Sequence, residues 1–239
     1  MKSVQTETAP SDHVLPLAGP SQKLGWWSGL PPLDAPIGGR GKRAFDVTIA
    51  LALLLLLSPM LIGLAVLVRL SSPGPVLYGH ARVGYRNRPF RCLKLRTMVI
   101  NGDEVIAAHF RRYPDARREW EEKRKLRDDP RVTPVGHVLR KLSLDELPQL
   151  LNVVRGEMSL VGPRPIPDDE LRRYGRSLRF YVQARPGITG LWQVSGRNTT
   201  TYGRRVAFDR WYVAHFSTAN DLLILARTLP AAVRSGETA

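Results

Sequence analysis

The sequence predicts an α+β, helix-rich protein in which one re-entrant membrane helix hairpin, broken at a Ser-Pro pair, joins a cytoplasmic domain with amphipathic surface helices. Three observations predict it. One apolar run is long enough to enter a bilayer, short strand-like segments punctuated by Pro and Gly follow it, and charged helical patterns fill much of the remainder. The expected organisation is a disordered leader (1–39), the membrane helix (40–72), a folded domain (73–230) and a short tail (231–239).

The leader is rich in Pro, Gly and Ser with few aliphatic clusters, so it lacks the apolar surface that would offset the entropy of folding. Its Trp26-Trp27 pair is either an interfacial anchor or a chance hydrophobe in a tail. No early hydrophobic core marks a cleavable signal.

The apolar run, IALALLLLLSPMLIGLAVLVRL at residues 49–70, has the length of a crossing. Pro59 has no N–H and pushes aside the Leu55 carbonyl, so a helix bends or stops there, and the Ser58 hydroxyl is placed to give that carbonyl a new partner. Arg40, Lys42 and Arg43 precede the run; Arg69, Arg82, Arg86 and further cations follow it. Short basic flanks stay cytoplasmic, which favours a helix that dips and returns over a tilted span kinked at Pro59. Asp46 is expected at the interface beside Lys42 and Arg43.

Next come two short strand-like segments, residues 76–78 and 90–95, with turn residues between them, predicting a small hairpin. Residues 103–127 are helical and highly charged, interrupted at Pro114. They read as a solvated helix pair or as a basic surface resting on anionic lipid. The net charge of +15 and a pI near 10.7 call for an anionic partner without choosing it. A single cysteine, Cys92, excludes an internal disulfide and fits a reducing compartment.

The candidate chemistry lies in DPRVTPVGHVLRKLSLDELPQLLNVVRGEMSLVGPRP, residues 129–165. Asp145 and Glu146 are adjacent acids ahead of an apolar stripe, Leu147, Leu150, Leu151 and Val154, that ends at Gly156. Ser143 and Glu146 have the spacing of a capping box, while Pro148 suits a start two or three residues later. Either start leaves both carboxylates near a positive helix end, which favours their ionised form. Acids in a first turn need no enzyme, but Arg140, Arg164, Arg185, Arg197 and Asp209 keep them company in loop-like sequence. An ionised carboxylate among guanidinium groups can attack phosphorus or hold a divalent cation while the arginines clamp phosphate oxygens. No GxxxxGK[ST] loop and no zinc-spaced His/Cys cluster is present, which argues against an NTPase or zinc enzyme. The adjacent acids and the lack of stacking aromatics argue against nucleic acid.

KRAFD before the run, SPGPVLYGHARVGYRNRPFRCLKLRTM, the 129–165 segment and RPGITGLWQVSGRN together resemble the bacterial sugar transferases, the monotopic polyprenyl-phosphate phosphoglycosyl transferases. The resemblance covers residues 42–229. It implies transfer of a sugar 1-phosphate from a UDP-sugar to polyprenyl phosphate at the inner membrane, with release of UMP and with Mg2+ bound. It further implies that Asp145 and Glu146 are the catalytic dyad and hold the metal with Asp209, that Ser58-Pro59 is the helix break, and that Pro163, Arg164, Pro165 and Arg140 are substrate-binding positions. Arg185 and Arg197 join them as candidate phosphate ligands. His80 stands where glutamine is common and Leu95 where phenylalanine is common, which bears on substrate detail more than on activity. The same chemistry on an N-acetylated donor, or a basic membrane adaptor without catalysis, are the alternatives.

Overall fold

The computed structural model describes residues 35–123, 126–196 and 200–235. Residues 1–34 of the expected leader, including Trp26-Trp27, lie outside them, as do Arg197 and the last four residues of the expected tail.

Helix α1 runs from Gly39 to Ser71 with Pro59 inside it. The Ser-Pro pair does not end the helix. The Leu55 carbonyl, which Pro59 cannot serve, accepts the Ser58 hydroxyl at 2.8 Å. At about 1.5 Å per residue the helix is about 50 Å long, and its middle is solvent-facing, with Leu55 79% and Leu56 73% exposed. Toward each end one face of the helix is covered. Ala50 and Val68 are buried against the folded domain, each in a different cluster of apolar side chains.

A buried polar network fixes the first turns. The Lys42 ammonium reaches Asp221 at 2.6 Å and Asp46 at 3.5 Å, and Asp46 accepts the Ser159 hydroxyl at 2.7 Å and the Leu160 N–H at 3.3 Å. Asp46 is therefore not at a lipid interface as the sequence predicts; it is 1% exposed inside protein, because Lys42 and Ser159 supply the partners that water would. Arg43 donates to the Val153 and Val154 carbonyls.

After α1 come strands β1 (Leu77–Val83) and β2 (Pro89–Leu95), antiparallel, with Leu77 opposite Leu95 and Val83 opposite Pro89. The expected hairpin is present, and β1 is longer than the three residues its apolar content marked because polar His80 and Arg82 continue the pairing. Helices α2 (Gly102–Arg112) and α3 (Pro114–Lys123) follow, split at Tyr113 ahead of the proline. Helix α4 (Pro134–Lys141) starts on Thr133, whose hydroxyl accepts the Gly136 N–H at 2.9 Å, with Pro134 in the first position. Gly136 lets α4 close onto β2's exit, since a Cβ there would lie 2.1 Å from the Thr97 carbonyl oxygen.

Helix α5 (Gln149–Arg155) begins after Pro148, the later of the two starts, and ends on Gly156 at φ 86. Its buried face carries Leu150, Val153 and the fully buried Asn152. Asn152 accepts the Leu93 N–H at 2.9 Å and donates to the Arg91 carbonyl at 2.8 Å, locking α5 to β2. Strand β3 (Ser159–Val161) precedes two single-turn helices, α6 (Leu171–Tyr174) and α7 (Leu178–Tyr181), and pairs in parallel with β4 (Gly187–Thr189). That pairing lay outside the sequence expectation. Helices α8 (Leu191–Val194), α9 (Tyr202–Ala214) and α10 (Thr218–Ser235) complete the chain, α10 continuing five residues into the expected tail. The Tyr212 hydroxyl of α9 donates toward the Val161 carbonyl at 3.0 Å and the Asp221 carboxylate at 2.8 Å, so β3, α9 and α10 share the network that holds α1.

Candidate active site

Asp145 and Glu146 sit on a single 3-10 turn, Leu144–Glu146, between α4 and α5. The expected capping box does not form. Ser143 is left-handed at φ 56 with no side-chain cap, and the Glu146 carboxylate instead accepts the Lys94 ammonium of β2 at 2.6 Å. The same ammonium lies 3.8 Å from Asp145. One cation thus ties both acids together, and Asn152 sets its register by fixing β2 against the helix that follows the dyad.

The expected pull of a helix end on Asp145 is also corrected. Helix α5 starts four residues later, and Asp145, 8% exposed, has its pKa raised, first by burial and further by Glu146, with Lys94 and Arg140 pulling the other way.

The dyad lines a cleft of about 910 Å³ whose walls include Lys94, Arg140, Arg164 and Trp192. The structure thus brings together Arg140, Asp145, Glu146 and Arg164. Arg140 Nε donates to Thr97 Oγ1 at 2.8 Å. Arg164 is held by its backbone: the Pro163 carbonyl accepts the Gly187 N–H at 2.8 Å, and the Arg164 N–H bonds the Asp209 carboxylate. Buried Pro163 and half-buried Pro165 shape this loop without lining the cleft, and leave the Arg164 guanidinium exposed 5.1 Å from the Trp192 ring centre.

Two expected site residues stand elsewhere. Arg185 Nε donates to the Gly156 carbonyl at 2.8 Å, at the C-terminal end of α5. Asp209 is 2% exposed, accepts the Tyr174 hydroxyl at 2.7 Å and is not among the lining residues; burial pushes its pKa up to about 7 against those hydrogen bonds.

Among the described residues no three His, Cys, Asp or Glu side chains converge as a metal cluster. Two carboxylates do converge, at Asp145 and Glu146. Mg2+ is commonly held by one or two carboxylates together with substrate phosphates and water, so the donor set fits an ion that arrives with a diphosphate.

Lys94 is the cleft residue that sequence reasoning passed over. Buried Phe90 and Cys92 alternate along β2, and a charge continuing that inward face at position 94 was the available signal.

Residues 38–235 match the family model described as bacterial sugar transferase. The chain belongs to this family. Its similarity extends to the exopolysaccharide production protein ExoY of Sinorhizobium fredii, 56% identical over 196 residues that make up 82% of this chain and 87% of that protein. An undecaprenyl-phosphate galactose phosphotransferase of Salmonella typhimurium is 50% identical over 193 residues, 81% of this chain and 40% of that longer protein. A UDP-glucose:undecaprenyl-phosphate glucose-1-phosphate transferase of Caulobacter vibrioides is 40% identical over 227 residues, 92% of this chain and 79% of that protein.

Proposed function

We propose that this bacterial sugar transferase moves a hexose 1-phosphate from a UDP-sugar to undecaprenyl phosphate and releases UMP, the priming step of an exopolysaccharide or related glycan. The observation that carries the reading is the dyad: two acids on one turn, bridged by Lys94, facing Arg140 and Arg164 across a cleft large enough for a nucleotide sugar. The relatives named for galactose and for glucose put those two UDP-sugars first in any substrate panel.

In the proposed mechanism an Asp145 carboxylate oxygen attacks the sugar-linked phosphorus. The bond from that phosphorus to the bridging oxygen breaks, and the oxygen leaves with UMP. Arg140, Arg164 and Lys94 bind the phosphate oxygens as negative charge shifts toward the leaving group. A phosphate oxygen of the acceptor lipid then attacks the same phosphorus, forming the lipid diphosphate sugar and returning Asp145 as a carboxylate. Glu146 holds the Lys94 ammonium in place and manages protons at the cleft. Mg2+ held by Asp145, Glu146 and the diphosphate would supply charge neutralisation. Asp209 and Arg185 act in this scheme as supports, the first for the Arg164 loop and the second for the end of α5.

The mechanism requires the site to stand at the height of a lipid phosphate, at the cytoplasmic face of the inner membrane. A dipping α1 provides that height. Lys42, Arg43 and Asp46 bind its first turns to the domain, and Val68 packs its last turns on Leu95 and Leu139 of the same domain. A span would hold its two ends about 30 Å of hydrocarbon apart on opposite faces, which one folded body docked to both ends argues against. The basic flanks favour the same arrangement.

The test is a single-turnover experiment. Enzyme given UDP-sugar without lipid should release UMP up to one equivalent and stop, with sugar phosphate retained on the peptide that holds Asp145. Asp145→Asn should lose both adduct and turnover, by at least about 10³-fold. A label on Glu146, or no UMP before lipid is added, would overturn the covalent route.

A further inference from the structure

The cleft is not uniformly polar. Beside its cations and acids it is lined by Pro75, Tyr78 and Ile100. Tyr78 is 54% and Ile100 63% exposed, so neither is there to fill the core. Single exposed hydrophobes are ordinary; the position of these two is what distinguishes them. Tyr78 is the strand partner of Lys94, the residue that touches both acids. Ile100 lies against Gly74, three residues after α1, where an added Cβ would meet the Ile100 side chain at 2.1 Å. Arg96 binds that segment by donating to the Ser72 carbonyl at 2.7 Å and to the Pro73 carbonyl. An apolar path therefore leads from the end of the membrane helix to the catalytic acids, with Arg69 and Arg96 close enough together to influence each other beside it.

A nucleotide sugar has no alkyl chain to place on such a path. An isoprenoid phosphate has both an anionic head for the cationic wall and a branched apolar tail for the rim. Resting on the transferase reading above, we infer that Tyr78 and Ile100 hold the first isoprene units of the acceptor lipid, which enters beside the C-terminal end of α1 and presents its phosphate to Asp145 from that side.

The experiment measures KM for undecaprenyl phosphate and for a series of shorter isoprenoid phosphates, together with KM for the UDP-sugar, in detergent-solubilised full-length enzyme. For the unaltered enzyme the acceptor KM should fall as the first few isoprenes are added. Ile100→Asn and Tyr78→Ser should each raise the acceptor KM by about tenfold, as expected for the loss of a buried apolar contact, and should flatten its dependence on those first units. KM for the UDP-sugar should stay within about twofold, a change too small to report a lost contact. Ile100→Leu and Tyr78→Phe should restore the acceptor KM, since they keep the apolar surface. An acceptor KM that does not move, or two KM values that move together, would overturn the rim assignment while leaving the transferase intact. If the unaltered enzyme released no UMP from any UDP-sugar in the presence of lipid, the transferase reading would fall, and the rim assignment with it.

Discussion

At the scale of single residues, the proposed chemistry turns on how Asp145 is kept both buried and ionisable. Burial raises its pKa, Lys94 at 3.8 Å counters that most strongly, and Glu146 adds to the rise. In the proposed mechanism the attacking form is the carboxylate, so the rate should fall as pH drops through the folded-state pKa, above the range of an ordinary aspartate. Lys94→Met removes the larger opposing charge and should move the acid limb of kcat/KM to higher pH, beyond any loss in plateau height; Arg140→Gln should move it in the same direction by less. A limb that stays in place in both variants would show that Asp145 does not set it. The raised pKa has a second consequence. The folded state binds this proton more tightly than the unfolded chain, so the group destabilises the fold increasingly as pH rises from the ordinary value of 3.8 through the folded-state pKa. Asp145→Asn should therefore melt no lower than the parent protein at pH 8, and the difference should vanish in acid; thermal denaturation at the two pH values checks it. This residue's neighbours show the limits of local reading. The adjacent acids and Arg140 and Arg164 were legible as a group because guanidinium and carboxylate chemistry is carried by residue type. Lys94 lies 52 positions from Glu146, and only the pairing of β1 with β2 and the grip of Asn152 bring it there.

At the scale of elements, local rules wrote most boundaries. Pro114 separates α2 from α3, Pro148 and Gly156 bracket α5, and the Ser58 hydroxyl repairs the carbonyl that Pro59 orphans, each through an effect confined to one or two turns. The misreadings share a cause: Glu146 and Asp46 have side-chain options that local spacing describes, and distant partners, Lys94 for the first and Ser159 for the second, outcompete them. Strands β3 and β4, three residues each, carry too little periodicity to be seen alone. The docking of α1 depends on one of those distant sets. Lys42→Met would leave Asp46 and Asp221 buried without their cation, and breaking such a pair costs about 3–5 kcal/mol; the variant should show a lowered denaturation midpoint and faster proteolysis near α1. The contact between α4 and β2 is a second test. Gly136→Ala puts a methyl group into the Thr97 carbonyl, so α4 must shift and Arg140 lose its bond to the Thr97 hydroxyl. Activity should drop by about tenfold or more, since small misplacements of positioning groups are costly, while far-UV circular dichroism stays near that of the parent.

At the scale of the whole molecule, one folded body grips a long apolar helix at both ends and leaves its middle bare. That arrangement constrains topology more tightly than hydropathy does. Hydropathy finds a helix able to cross and cannot tell crossing from return; the two docked ends favour the proposed arrangement, in which the flanks share a side. Gly41 and Ala108 are both exposed, the first in the opening turns of α1 and the second on α2, so single cysteines at these positions report the two flanks. Cys92 is buried and its thiol pKa is pushed up to about 11, which makes it a poor reporter, and Cys92→Ala removes it altogether. In that background, Gly41→Cys and Ala108→Cys should both react with a membrane-impermeant maleimide in inverted vesicles and both resist it in intact spheroplasts. Pro59→Ala restores the N–H to the Leu55 carbonyl and removes the local defect in α1, so under the proposed dipping arrangement a fraction of molecules should then place position 41 on the outer side, with activity lost in proportion although the dyad is untouched. The parent protein labelling at 41 from outside would mean a true span, and the contacts of Lys42 and Arg43 with the domain could not then hold in the membrane. If Pro59→Ala left both labelling and activity unchanged, the proposed return of the helix would have to rest on the docked ends alone, with Ser58-Pro59 a local repair that carries no topological weight.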